Sequence, residues 1–227
     1  MLAARPLRLV MSAAAGTDRV ALKLLFPGSV RYDSELKNAS LSTVQNCPSM
    51  ARWEIISFPR MTALVTRPLG TPLEYLCLCS TASVRQYLPK LLQHISSALL
   101  YLHEAKLAFV DLHPGNIILA SDAFYLIDIE CISPIGQTCP APVFRDYFAP
   151  LAWSRDDDIV PSQATDIESF VYCVVWMLDS FHVRCRALQG GSFATLKGRI
   201  LQSLAGIDPS EVHEGIFVWP STIASLQ

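Results

Sequence analysis

The stretch FVDLHPGNIIL (109–119) puts a carboxylate, an imidazole and an amide within six positions: Asp111, His113 and Asn116. A second carboxylate, Asp128, follows 17 residues after Asp111. Both acids close apolar segments, AFVD and YLID. A carboxylate in such a place costs free energy unless something pairs with it. Asp111, Asn116 and Asp128 are all oxygen donors. Mg²⁺ takes oxygen donors, typically one or two carboxylates plus substrate phosphates. Lys23, in the apolar segment VALKLL, supplies a positive charge suited to phosphate, and Glu35, 12 residues on, is placed to hold that lysine. These residue types point to phosphate chemistry.

Several elements must bring them together. LRLVMSAAAGTDRVALKLLF (7–26) reads as two short strands around a turn. A modest helix is expected from about Tyr32 to Gln45, followed by strands at WEIISF and MTALVTRPLG, the latter closed by Pro68 and Gly70. The strongest helical pattern spans 84–104, with Val84, Leu88, Leu91, Leu92, Ile95, Ala98, Leu99 and Leu102 on one face and Ser83 as its cap. GNIIL and AFYLIDIE form a hairpin, which would bring Asp111, Asn116 and Asp128 together. A proline-rich loop (131–163), a second long helix from about Thr165 to Phe181 and a weaker helix near 193–205 complete the chain. Strands with one helix first, then helices with a small hairpin, predict an α+β fold in two lobes.

The motifs occur in a familiar order. VALK (20–23) resembles the strand that carries the nucleotide-binding lysine of protein kinases. FVDLHPGNIIL resembles their catalytic loop, LIDIE (126–130) their metal-binding motif, and DYFAPL (146–151) the end of their activation segment. LVTRPLGTPL resembles the hinge, and TDIESFVYCVVWML (165–178) the buried helix whose early Asp supports the catalytic loop. The hinge and the start of that helix are most similar to fungal-type protein kinases, and the resemblance covers about residues 8–182. It implies a bilobal kinase-like fold: residues 1–70 a small β-rich N-lobe, truncated at its start, and 71–227 a mainly helical C-lobe. It further implies ATP and Mg²⁺ as cofactors. Asp111 would act as the base toward a protein Ser/Thr hydroxyl. Asn116 and Asp128 would hold the metal, and Lys23, paired with Glu35, would contact phosphates. His113 becomes a candidate phosphate contact, and Glu130 either a further metal ligand or a surface carboxylate.

Four departures open alternatives. No glycine-rich loop is recognisable before Lys23, and Phe109-Val110 replace the His-Arg that usually precede the catalytic Asp. His113 stands where a lysine is usual, a spelling shared with small-molecule phosphotransferases of this fold. The metal motif reads Asp128-Ile129-Glu130, and Leu151 replaces a glutamate. An active protein kinase, a pseudokinase or nucleotide-binding module, and a small-molecule phosphotransferase all remain open.

Composition sets the frame. The 227 residues are 51% hydrophobic and 17% charged, well away from disorder. A net charge of −2 argues against an electrostatic nucleic-acid binder. The longest apolar run near a helix, FVYCVVWML, is too short to span a bilayer. Seven irregularly spaced cysteines, an odd number, fit reduced thiols and an intracellular setting, cytoplasmic or nuclear. The arginines and missing acids before Asp18 also fit a transit peptide. The run RDDD (155–158) reads as a solvated loop or an acidic docking patch.

Overall fold

Strand β1 (Leu9–Ala15) returns as β2 (Asp18–Leu25), and β2 pairs in turn with β4 (Met61–Arg67), whose other edge carries β3 (Arg52–Phe58). These four strands form one antiparallel sheet in a computed structural model that describes residues 9–15, 18–28, 32–79, 86–140, 148–150, 153 and 158–178. The helix expected near 193–205, the cap Ser83, most of RDDD and the first residues of DYFAPL fall outside these ranges. Strand β4 is central and covered on both faces, so Thr62 to Thr66 are all buried. Strand β3 lies at the edge and alternates accordingly less, with Trp53 its one buried side chain.

The helix expected over 32–45 is two helices, α1 (Tyr32–Ser40) and α2 (Ser42–Asn46), separated by Leu41 in an extended conformation. A side chain bridges the break. The side-chain amide of Gln45 donates to the carbonyls of Ala39 (2.7 Å) and Trp53 (2.8 Å). These bonds hold α2 against the end of α1 and against β3 across the break at Leu41. Helix α1 has Asp33 and Glu35 in its first turn and Lys37 in its last, matching its dipole. Its buried face carries Glu35, Asn38 and Ala39, which are neighbours at i, i+3 and i+4.

A short strand β5 (Thr71–Pro72) and the hairpin of β7 (Ile117–Ala120) and β8 (Ala123–Leu126) form the second sheet, in the order β5-β7-β8, and helix α3 (Leu73–Cys79) follows β5 directly. Ser121 and Asp122 turn the hairpin with φ of 46° and 68°, the positive pair that a tight two-residue hairpin requires. Between α3 and this hairpin lies α4 (Leu88–Glu104), which buries Leu91, Ile95, Ala98, Leu99 and Leu102 as the apolar stripe predicts. It starts at Leu88, four residues later than the pattern suggests, with Tyr87 at the cap and Pro89 in the first turn. Proline has no N–H to offer a preceding turn, so a helix start is where it fits. A small pair, β6 (Leu107–Ala108) with β9 (Ser133–Pro134), follows the helix.

The last described helix, α5 (Gln163–Leu178), begins two residues before Thr165. Ser162 and Thr165 cap it reciprocally: each backbone N–H donates to the other's hydroxyl, at 2.9 and 3.2 Å. Phe170 to Met177 are buried without exception, as in a helix apolar all round. One apolar cluster joins Leu25 and Leu64 of the four-stranded sheet to Leu99, Phe124, Tyr172 and Trp176. The chain is thus a mixed α+β structure with small antiparallel sheets and few helices. No described helix is long and apolar enough to cross a membrane.

Candidate functional site

A cavity of about 340 Å³ is walled by both larger sheets. Strands β2, β3 and β4 supply Ala21, Lys23, Trp53 and Thr66, and the connection after β4 supplies Pro68, Leu69 and Gly70. Pro72, Asn116, Ile118, Ile127 and Asp128 close the opposite side, and Glu35 reaches in from α1. Gly70 is fitted to this wall: a Cβ there would stand 2.6 Å from the Leu119 carbonyl. One end is therefore apolar, and the other is ionic.

Lys23 is the centre of the ionic end. Its Nζ lies 2.6 Å from Glu35 Oε1, 3.0 Å from Asp128 Oδ1 and 3.5 Å from Glu130 Oε2. Burial pulls the lysine's pKa down, but Asp128, Glu35 and Glu130 outweigh it and hold the pKa above the ordinary value. The pKa of Glu35 is also raised, first by burial, with Lys23 opposing and Asp128 and Glu130 adding repulsion. Both directions express one fact: three carboxylates share a single ammonium in a poorly solvated place. The second oxygen of Glu35, Oε2, is buried and has no hydrogen-bond partner.

Local conformation aims these groups. Asp128 adopts a left-handed φ of 65° at the end of β8, and a 3₁₀ turn (Ile129–Cys131) follows it. Asn38 braces that turn, donating from Nδ2 to the carbonyls of Ile129 (2.8 Å) and Ile132 (3.0 Å). Glu35 and Asn38 thus use one face of α1 to fix the ammonium and the Asp128 turn together. Asn116 ends a 3₁₀ turn (Pro114–Asn116), and its Nδ2 donates to the Asp111 carbonyl at 2.9 Å. Its Oδ1 is then the atom it can offer a cation.

The Asp111 loop is held from below. Asp166, in the first turn of α5, accepts from the Phe109 N–H (2.7 Å), the Val110 N–H (2.9 Å) and His103 Nε2 (3.0 Å). Val110 takes a φ of 73°, and the Asp111 N–H donates back to the Phe109 carbonyl at 3.0 Å. That is a tight, strained turn for a β-branched residue. His113 is buried; its Nδ1 accepts from the Gly115 N–H at 3.0 Å, and its ring packs on Phe148, which packs on Trp176 of α5.

No family model and no curated protein matches this chain.

Of the six residues singled out from sequence, Lys23, Glu35, Asn116 and Asp128 meet at one cavity. Asp111 is half-buried beside them, joined through Asn116, and is not part of the cavity lining. His113 is likewise outside the lining and shapes the loop. Glu130 is a buried member of the ionic cluster. Sequence reasoning missed Asn38, His103 and the apolar wall of Trp53, Ile118 and Ile127. The i, i+3 spacing of Glu35 and Asn38 was the available signal for the first.

Proposed function

We infer that the chain is a divergent, bilobal protein kinase-like phosphotransferase that moves a phosphoryl group from ATP to a protein Ser/Thr hydroxyl. The observation carrying this reading is the meeting of Lys23, Glu35, Asn116 and Asp128 at one cavity, with the Asp111 loop tied to the same Asn116. Ala21, Leu69 and Ile127 would flank the adenine and ribose at the apolar end. Lys23 binds phosphate oxygens, and Glu35 keeps its ammonium pointing into the cavity.

Asp128 and the Oδ1 of Asn116 are hard oxygen donors, and the buried Glu35 Oε2 without a partner fits a site short of positive charge. Mg²⁺ held by them would neutralise phosphate charge. Asp111 orients the acceptor hydroxyl and takes its proton on the carboxylate. Asp166 keeps the turn at Val110 closed so that Asp111 faces the acceptor. One observation favours a second reading, a nucleotide-binding module without transfer: Asp111 does not line the cavity.

The test is transfer from γ-labelled ATP to the chain itself or to a generic protein acceptor. Asp111→Asn should lower transfer on the order of 10²- to 10⁴-fold while leaving ATP affinity nearly unchanged. Asp128→Asn should weaken Mg²⁺-ATP binding itself. Transfer that survives Asp111→Asn removes Asp111 from the mechanism. ATP binding without transfer by the wild type favours the binding module.

A further inference from the structure

We propose that His94 is a pH-sensitive latch on the outer edge of the β7–β8 hairpin, closed while its imidazole is neutral and opened by protonation in mild acid. The pair Ala120 with Ala123 closes the hairpin, so in the next pair, Leu119 with Phe124, the backbone groups point away from each other. Strand β8 is the edge of its sheet, and its outward N–H groups need acceptors from elsewhere. Leu126 finds the Ser49 carbonyl at 2.8 Å. Phe124 finds Nδ1 of His94, on α4, at 3.0 Å. Phe124 is wholly buried, so water does not stand in for this acceptor while the helix stays in place.

Accepting at Nδ1 requires a neutral imidazole with its proton on Nε2. Protonation turns Nδ1 into a donor aimed at a donor and takes the acceptor from the Phe124 N–H. The surroundings oppose the charge as well. Burial disfavours it first, then Lys90 one helical turn earlier, while Asp122 on the hairpin turn favours it less, and the pKa lies below the ordinary 6.5. The folded-state pKa is thus the lower one. The latch stabilises the fold fully above pH 6.5 and is lost as pH falls through the lowered value. Lys90 also pairs with Asp122, so α4 and the hairpin keep one link when His94 lets go. Strand β8 leads into Asp128, so the open latch loosens the strand that delivers this residue to the cavity. The latch does not depend on what the cavity binds.

The experiment follows the whole folded chain by nuclear magnetic resonance from about pH 8 to about pH 5, the range in which imidazoles titrate. The His94 ring should titrate below 6.5, and the Phe124 amide proton should shift along the same curve as its hydrogen bond is lost. His94→Asn keeps an acceptor near the Nδ1 position and does not titrate. It should hold the Phe124 amide in place across the range. In urea titrations the folded-to-unfolded ratio of the wild type, relative to His94→Asn, should fall on the order of threefold to tenfold between the two ends of that range. A His94 ring that titrates at or above 6.5, or a Phe124 amide that does not follow it, overturns the proposal from the wild type alone, whether or not the variant folds. Equal pH dependence of the wild type and folded His94→Asn overturns it too.

Discussion

Lys23 shows how one residue's energetics decide the site. Its side chain is 14% exposed and its three anionic neighbours are 2%, 30% and 7% exposed for Glu35, Asp128 and Glu130. Removing the cation leaves three carboxylates facing one another with little water. Lys23→Met should therefore destabilise the fold by about 3 kcal/mol, the scale of a buried pair broken from one side. Adding Glu35→Gln to Lys23→Met should restore part of that loss, which denaturant titrations in a double-mutant cycle measure directly. Strict additivity of the two changes would mean that the ion pair is not coupled. The pH dependence has a definite sign. The folded-state pKa of Lys23 is raised above 10.5, so its contribution is complete below pH 10.5 and fades as pH climbs through the raised value. The gap between wild type and Lys23→Met should narrow there. The pairing of Lys23 with Glu35 was legible because a lysine between apolar neighbours needs a partner and the next helix supplies an acid. Its reach to Asp128 and Glu130 was not legible. It depends on the left-handed φ of Asp128, which nothing in LIDIE announces.

Elements place the loop that carries Asp111, and Asp166 is the acceptor that holds its start. Asp166 satisfies two backbone N–H groups and His103 Nε2, and the residue it holds, Val110, sits in a conformation that β-branched side chains resist. Asp166→Ala leaves the Phe109 and Val110 N–H groups buried without this acceptor, at about 1–3 kcal/mol for each. We expect a loss of at least about 2 kcal/mol and faster amide exchange at Phe109 and Val110, with the α5 amides from Phe170 to Met177 still protected. Unchanged exchange at those two amides would show that the turn closes without Asp166. Periodicity made α4 and α5 readable, since both bury long apolar faces. It failed between residues 32 and 45, where Leu41 turns extended and the Gln45 amide bridges the two short helices through the Ala39 and Trp53 carbonyls. A side-chain bridge to backbone carbonyls leaves no periodic trace. The hairpin was readable in outline, and its two positive φ residues, Ser121 and Asp122, explain how so short a turn brings Asn116 and Asp128 to one side.

At the scale of the molecule, the cavity exists only because two sheets meet. The segment before β3 pairs with the end of β8: the Ala51 N–H donates to the Leu126 carbonyl at 2.9 Å, and the Leu126 N–H to the Ser49 carbonyl at 2.8 Å. The apolar cluster crosses the same junction, from Leu64 through Leu126 to Tyr172. Folding of either side alone would expose that cluster, so the sequence division at residue 70 should not behave as two independent units. The chain should unfold in one cooperative transition. A nucleotide bound in the cavity touches both walls, so Mg²⁺-ATP should raise that single transition as a whole. At 100 times its dissociation constant the gain is about 2.7 kcal/mol. Trp53, buried at the cavity wall, provides a local fluorescence signal once the other three tryptophans are replaced by phenylalanine, to set beside far-ultraviolet circular dichroism as the global one. Coincident curves that move together with Mg²⁺-ATP are expected. Two separated transitions, only one of them moved by nucleotide, would mean that the ligand contacts one sheet. The ionic end and the apolar end would then not serve a common ligand, and the phosphotransferase reading would lose its main support.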